Sequence, residues 1–218
     1  MNMSLNLDYD GTMEFHEGMA VVYKVHPIPK EEMTEEMEDL GIDSYETYGF
    51  IDDSGKVIVP CKYEEANDFS DGMALVKTEK GFGFIDKTGK EAIPCKYDYA
   101  RDFHEGLACV DDGYLFIDRT GREVLRLPKD IIPGDFSEGL ASAVRVGAKR
   151  GYIDKCGQVV IPCEYDEVGA FHEGRALVRI GEKSFYIDRA GNWLEDYNPE
   201  PEPEPEPDDD WINRVLNG

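Results

Sequence analysis

The chain has 218 residues, 47 acidic against 23 basic side chains and a formal charge of −24, with 41% of its residues hydrophobic. That is enough apolar material for one large domain or two small ones, and without a basic cluster so much negative charge disfavours a nucleic-acid reader. Residues 1–11 have no basic, apolar leader pattern, no run reaches the ~18 apolar residues of a membrane span, and five cysteines is an odd count, so a cytoplasmic protein with reduced thiols, no membrane contact and no disulfide framework is expected.

In chain order, the first element is half of a repeating unit: Tyr9, then the phrase FHEGMA from Phe15. An acidic segment, residues 26–46, interrupts it, with eight acids against the single Lys30 for a net of −7. Within it Pro29 opens, Glu31 and Glu32 fill a first turn, Met33, Met37 and Leu40 follow at i, i+4 and i+7, and Gly41 closes. That pattern predicts a short amphipathic helix. It either lids the edge of the first unit or presents a Met-rich contact surface to a partner.

After the insertion the pattern runs on regularly. The phrase F-x-[ED]-G-x-A returns at Phe69, Phe103, Phe136 and Phe171, and the last three intervals are 34, 33 and 35 residues. Each copy is followed by a short apolar run ending in Ile-Asp, at Asp52, Asp86, Asp118, Asp154 and Asp188, with a glycine three positions on, at Gly55, Gly89, Gly121, Gly157 and Gly191. A third phrase, [VI]-P-C-[KE]-Y, stands around Pro60, Pro94 and Pro162, with Leu127-Pro128 as a degraded copy. Five units result. Their apolar runs of five or six residues, rich in Val, Ile and aromatics, read as strands and are too short for helices. In each D-x-x-G the aspartate can accept from the backbone two residues on and the glycine supplies a positive φ, so these ten residues read as hairpin turns. The prolines suit a strand start, an edge or a bulge.

These three phrases, recurring in order over roughly residues 5–197, resemble the WG (KWG) β-repeat proteins of bacteria. The tryptophan that names the family is replaced, in this alignment, by Tyr48, Phe82, Tyr114, Arg150 and Phe185, and its glycine remains as Gly49, Gly83 and Gly151. The resemblance implies a repeat platform for interactions, with no shared catalytic chemistry. The expected fold is all-β: a tandem repeat of short antiparallel hairpins and meanders stacked as a β-solenoid, with one short helical insertion. A small closed, propeller-like ring is the alternative. The open stack is favoured because the fifth unit keeps a residual third strand over residues 193–197, where a closing N-terminal half-unit would have to fit.

No constellation reads as an active site. His16, His104 and His172 recur with Glu17, Glu105 and Glu173, but Ser70 and Ser137 fill the same place in the other units, and equivalent positions in an open stack do not converge on one metal. They read as turns. Cys61, Cys95 and Cys163 likewise read as small strand residues, with Cys109 in a strand and Cys156 in an exposed turn. No G-x-S-x-G, HExxH or phosphate-cradling glycine loop is present. No enzyme activity, cofactor or metal is expected. A paired-carboxylate hydrolase leaves little local signature and stands as a remote alternative.

The organisation is therefore a repeat domain over residues 1–197, carrying the acidic insertion 26–46, then a Pro-Glu linker over 198–210 and an apolar peptide over 211–218. The alternating Pro and Glu favour an extended spacer. Beyond it, Trp211, Ile212, Val215 and Leu216 share a face, as a docking motif or a cap on the last repeat. The function expected is a non-enzymatic protein–protein interaction module, with another protein or a second copy engaged through the tail. An acidic inhibitor of the immunity type, neutralising a basic partner, is the alternative.

Overall fold

The structure, a computed structural model, describes residues 9–145 and 149–194. It is all-β, with five small antiparallel sheets and one short helix among the described residues. The first sheet holds β1 (Gly11–His16), β2 (Met19–Pro27), β3 (Ser44–Asp52) and β4 (Val57–Tyr63), with α1 (Glu35–Leu40) between β2 and β3. The second holds β5 (Glu65–Ala66), β6 (Met73–Thr78), β7 (Gly81–Asp86) and β8 (Glu91–Tyr97). The third is shorter, with β9 (Leu107–Val110), β10 (Leu115–Asp118) and β11 (Glu123–Arg126). The fourth contains β12 (Ile131–Ser137), β13 (Leu140–Arg145), β14 (Arg150–Asp154) and β15 (Val159–Tyr165), and the fifth β16 (Glu167–Val168), β17 (Arg175–Ile180) and β18 (Lys183–Asp188). The third phrase is where the chain changes sheets: Tyr63 ends the first and Glu65 starts the second.

Both turn types have the chemistry the residues demand. In F-x-[ED]-G the acid and glycine form a two-residue hairpin loop, as between His16 and Met19, and both take positive φ: 52° and 80° at Glu17-Gly18, 55° and 75° at Asp71-Gly72. Tight hairpins need this pairing. In D-x-x-G, Asp86 Oδ1 accepts from the amides of Thr88 (2.9 Å) and Lys90 (3.1 Å), and the other four units repeat the arrangement.

The glycine of the second phrase has a packing cause. In the second sheet Phe82 pairs with Tyr97 and Phe84 with Ile93, so three residues of β8 bow over the one residue between them, Gly83. Pro94 lies in that bow, where it has no N–H to give the ladder. A Cβ on Gly83 would sit 2.6 Å from Cys95 N and 2.7 Å from Ile93 O, and Gly49 and Gly151 are crossed as closely by Val59 and Ile161. The third sheet lacks the bow: Leu115 pairs with Arg126 and Phe116 with Leu125, and a leucine fits. The fifth unit corrects the alignment above. Arg179 pairs with Ser184, as Lys77 pairs with Phe82, so Ser184 and not Phe185 holds the tryptophan position. Phe185 stands in the glycine position instead, against Tyr165 and Trp193, where the described third strand is reduced to an Ile187–Trp193 bridge.

Alternation along each strand builds the core. On β6, Ala74 and Val76 face the first sheet with Phe50, Val59 and Tyr63, while Met73 and Leu75 face the third with Phe103, Val110 and Ile117. Two further clusters join the third sheet to the fourth and the fourth to the fifth. Each junction centres on an edge-to-face aromatic pair: Phe50–Phe69, Phe84–Phe103, Phe116–Phe136 and Tyr152–Phe171, with ring centroids 4.7 to 5.2 Å apart. Such pairs add about 0.5–1.5 kcal/mol beyond area burial. Phe15, the equivalent residue of the first unit, pairs with no aromatic ring of another sheet among the described residues and is 50% exposed. Among the described residues no core cluster joins the first sheet to the last.

The insertion is less helical than its sequence pattern suggests. β2 and β3 run on through it as a paired ribbon, with Val25 opposite Glu46, His26 opposite Tyr45 and Pro27 opposite Ser44. The helix is confined to Glu35–Leu40, because Thr34, not Pro29, caps it: Met37 N–H donates to Thr34 Oγ1 (3.2 Å). Met33 therefore precedes the helix, and the Met33–Met37–Leu40 stripe is not one helical face. Gly41 closes it as expected, at φ 68°.

Candidate interaction surface

The recurring His, Ser and Glu positions form junctions between units. The acid of each hairpin turn reaches the next sheet and accepts from the amide of the equivalent glycine: Gly72 N–H to Glu17 (2.9 Å), Gly106 to Asp71 (2.6 Å), Gly139 to Glu105 (2.8 Å) and Gly174 to Glu138 (2.8 Å). That bond offsets the cost of a non-glycine residue at positive φ. The residue before the acid makes the same crossing. His16 and His104 approach Asp68 (3.4 Å) and Asp135 (3.9 Å), whereas Ser70 and Ser137 donate to the carbonyls of Phe103 (2.7 Å) and Phe171 (2.6 Å). Two residue types serve one structural purpose, which a metal site would not allow. No group of three or more ligating side chains is placed to hold a metal among the described residues. Cys95 and Cys109 are buried, Cys61 and Cys163 half-buried, and Cys156 is exposed in its turn. Burial pushes the Cys95 and Cys109 thiols up, away from reactivity.

The electrostatics of the junctions are uneven. A hydrogen bond from Lys87 (3.0 Å) holds the Glu17 carboxyl below its usual range. Glu105 is pushed up by desolvation, yet the Gly139 amide and Lys155 (3.1 Å) outweigh that and leave it lowered. Asp102 goes the other way: burial raises it, although Asn67 Nδ2 donates to both its oxygens (3.2 and 3.0 Å). Beside it Arg101 bonds Asp135 (3.0 Å) and the Pro133 carbonyl (3.0 Å). This seam ties the second, third and fourth sheets together.

The insertion is different, because it is held away from the core. Between Tyr23 and Gly49 no residue is buried. Leu40 is 67% exposed, Tyr45 53%, Ile42 43% and Val25 41%, while Met33 and Met37 are half-buried. The ribbon is fixed at its base by Tyr48, whose hydroxyl donates to Glu46 (2.6 Å); that bond, first, and burial push the phenol up to about 12. His26 stacks on Tyr45 (5.0 Å) and bonds Thr47 (2.9 Å). The residues singled out from the sequence, Met33, Met37 and Leu40, therefore lie on this arm, joined by Val25, Ile42 and Tyr45. A helix-period search passes over those three because two lie on the strands of a ribbon and the third just beyond the helix end. Trp211, Ile212, Val215 and Leu216 lie outside the described residues.

Three segments, residues 48–81, 82–115 and 151–183, match the family described as "WG containing repeat". The chain carries WG repeats. Two of the matched segments begin at the tryptophan position, held by Tyr48 and Phe82, and the third begins one residue later, at Gly151. No curated protein matches the chain. Among solved structures it is similar to the crystal structure of the computationally designed Ika8 protein, at 10% identity and a TM-score of 0.46, over 83% of this chain and 59% of that one. The chain thus spans under two thirds of that protein's length.

Proposed function

We propose that this WG-repeat protein is a non-enzymatic binding module: an open stack of sheets that holds out the residue 24–48 arm to a basic, amphipathic segment of another protein. The observation that carries the reading is the pairing of exposed Leu40, Ile42, Tyr45 and Val25 with the net −7 of residues 26–46. Apolar side chains exposed together beside concentrated charge of one sign mark contact sites, and the charge selects a partner of opposite sign. The open form is supported by exposed Phe15 and by the lack of a core cluster between first and last sheets among the described residues. An inhibitor that neutralises a basic enzyme is one form of the same reading, favoured by the overall charge of −24.

The test is affinity capture with the wild type and with a Leu40→Asp/Ile42→Asp double variant, whose exposed positions leave the sheets intact. A basic protein held by the wild type at low salt, and released both by the variant and by raised salt, is the expected result. Identical capture by both proteins would remove the arm from the function.

A further inference from the structure

Three of the four internal junctions share one charge rule, and the first unit lacks the residue that rule needs. The turn acid of one unit meets the glycine amide of the next together with a basic residue placed just after that next unit's Ile-Asp. Glu17 meets Lys87 (3.0 Å), Asp71 meets Arg119 (3.5 Å) and Glu105 meets Lys155 (3.1 Å). Lys87 and Lys155 also donate to the carbonyls of Glu17 (2.7 Å) and Glu105 (2.9 Å). Arg189 holds the same place in the fifth unit, with its Nη2 3.3 Å from where a Cβ on Gly139 would sit. In the first unit that position is Asp53, and it is exposed. At the far end of the described residues, the turn acid Glu173 is paired with Arg175, two positions on (2.8 Å).

A stack of like units has a geometric problem. Its last unit presents what its first unit accepts, so copies can join head to tail into an open filament. The rim of the first sheet is suited to such a junction: Phe15 is half exposed, and the Gly18 amide has no carboxylate partner among the described residues. The flat face behind it is already closed, since Ala20, Val22 and Ile51 are buried with Tyr9 and Val57 against them. We propose that Asp53 is the residue that stops the stack from continuing into a second copy. A copy seated there would bring Glu173 onto the Gly18 amide and set it against Asp53, carboxylate on carboxylate, where the Glu17, Asp71 and Glu105 junctions each have a cation. The proposal is independent of the arm.

The test is a charge exchange read by sedimentation velocity of the full chain across a wide concentration range, with circular dichroism to establish folding. Asp53→Lys recreates the internal junction and should self-associate at least about tenfold more tightly than the wild type. Glu173→Lys restores opposite charge without the amide acceptor and should associate more weakly than Asp53→Lys. The double variant sets Lys against Lys and should sediment like the wild type. Raised salt should shrink the differences. The proposal fails if Asp53→Lys, folded, sediments like the wild type, or if the double variant associates as tightly as Asp53→Lys.

Discussion

The second and third sheets are neighbours built from copies of one pattern, yet they cross their last strand differently. In the second, β8 bows over Gly83 at Pro94; in the third, β11 runs level past Leu115. The difference teaches that the glycine is dictated by the phrase that follows it. Where the third phrase keeps its Pro-Cys after a valine or isoleucine, as in units one, two and four, the preceding strand has no room for a side chain. Where that phrase decays, a leucine or a phenylalanine takes the space and packs into the core.

Exchanging the two residues is the strongest way to break this account. Gly83→Leu forces a side chain into Cys95 N and Ile93 O, and backbone held in a ladder cannot retreat as a flexible side chain would. A loss of about 4 kcal/mol or more is expected, at the extreme of single substitutions. Urea denaturation would show it as a fall in midpoint, and an unfolding free energy within about 1 kcal/mol of wild type would end the argument. The reciprocal site is milder. Leu115 is buried between the second and third sheets, so Leu115→Ala leaves a cavity with no clash and should cost about 2–4 kcal/mol. If that change were silent, the leucine would not be the replacement for the glycine that the comparison makes it.

Much of this was legible beforehand, for physical reasons. Five Asp-x-x-Gly turns and five Phe-x-acid-Gly turns are local devices: each is closed by residues within four positions, so composition and spacing expose them. The sheet-by-sheet organisation followed from the same periodicity. What was not legible depends on neighbours far along the chain. The Glu17 carboxylate looks like a turn residue, and its bond to Gly72 appears only when two sheets stack. Aromatic character points to Phe185, whereas the register with Arg179 puts Ser184 at the position. In the arm, Met33, Met37 and Leu40 suggested a helix from spacing alone, but Thr34 is the better cap and the pairing of β2 with β3 takes the flanks.

The comparison sharpens further at the turn that joins these same two sheets. Asp71 bonds the Gly106 amide (2.6 Å) and faces Arg119 (3.5 Å), while Glu173, its equivalent in the fifth unit, bonds within its own unit among the described residues. Asp71→Ala should cost about 1–2 kcal/mol, the scale of a lost charge-assisted bond to a backbone donor. Glu173→Ala should stay within about 0.5 kcal/mol. Equal losses from the two would show that the acid serves its own turn rather than the stack.

A smaller effect than that of Asp71 is expected at Asp102, in the seam between the second and third sheets. Its carboxyl is raised by burial, against the hydrogen bonds from Asn67, whereas Glu17 and Asp86 are lowered, first by their side-chain bonds to Lys87 and Thr88. The signs are opposite. A lowered carboxylate adds stability above its unfolded value, about 4, and that stability is lost as pH falls through the folded value. A raised one withdraws stability as pH climbs from about 4 through its folded value, because folding then holds a charge in a poorly solvated place. Asp102→Asn keeps a carbonyl oxygen for Asn67 and removes the charge. Its gain over wild type should therefore be near zero below about pH 4 and reach about 1 kcal/mol or less at pH 7, a rise of roughly 2–4 °C in Tm. A variant less stable than wild type at pH 7 would mean that the ionised form is the one the seam is built to hold, and that Asn67 and His104 outweigh burial there.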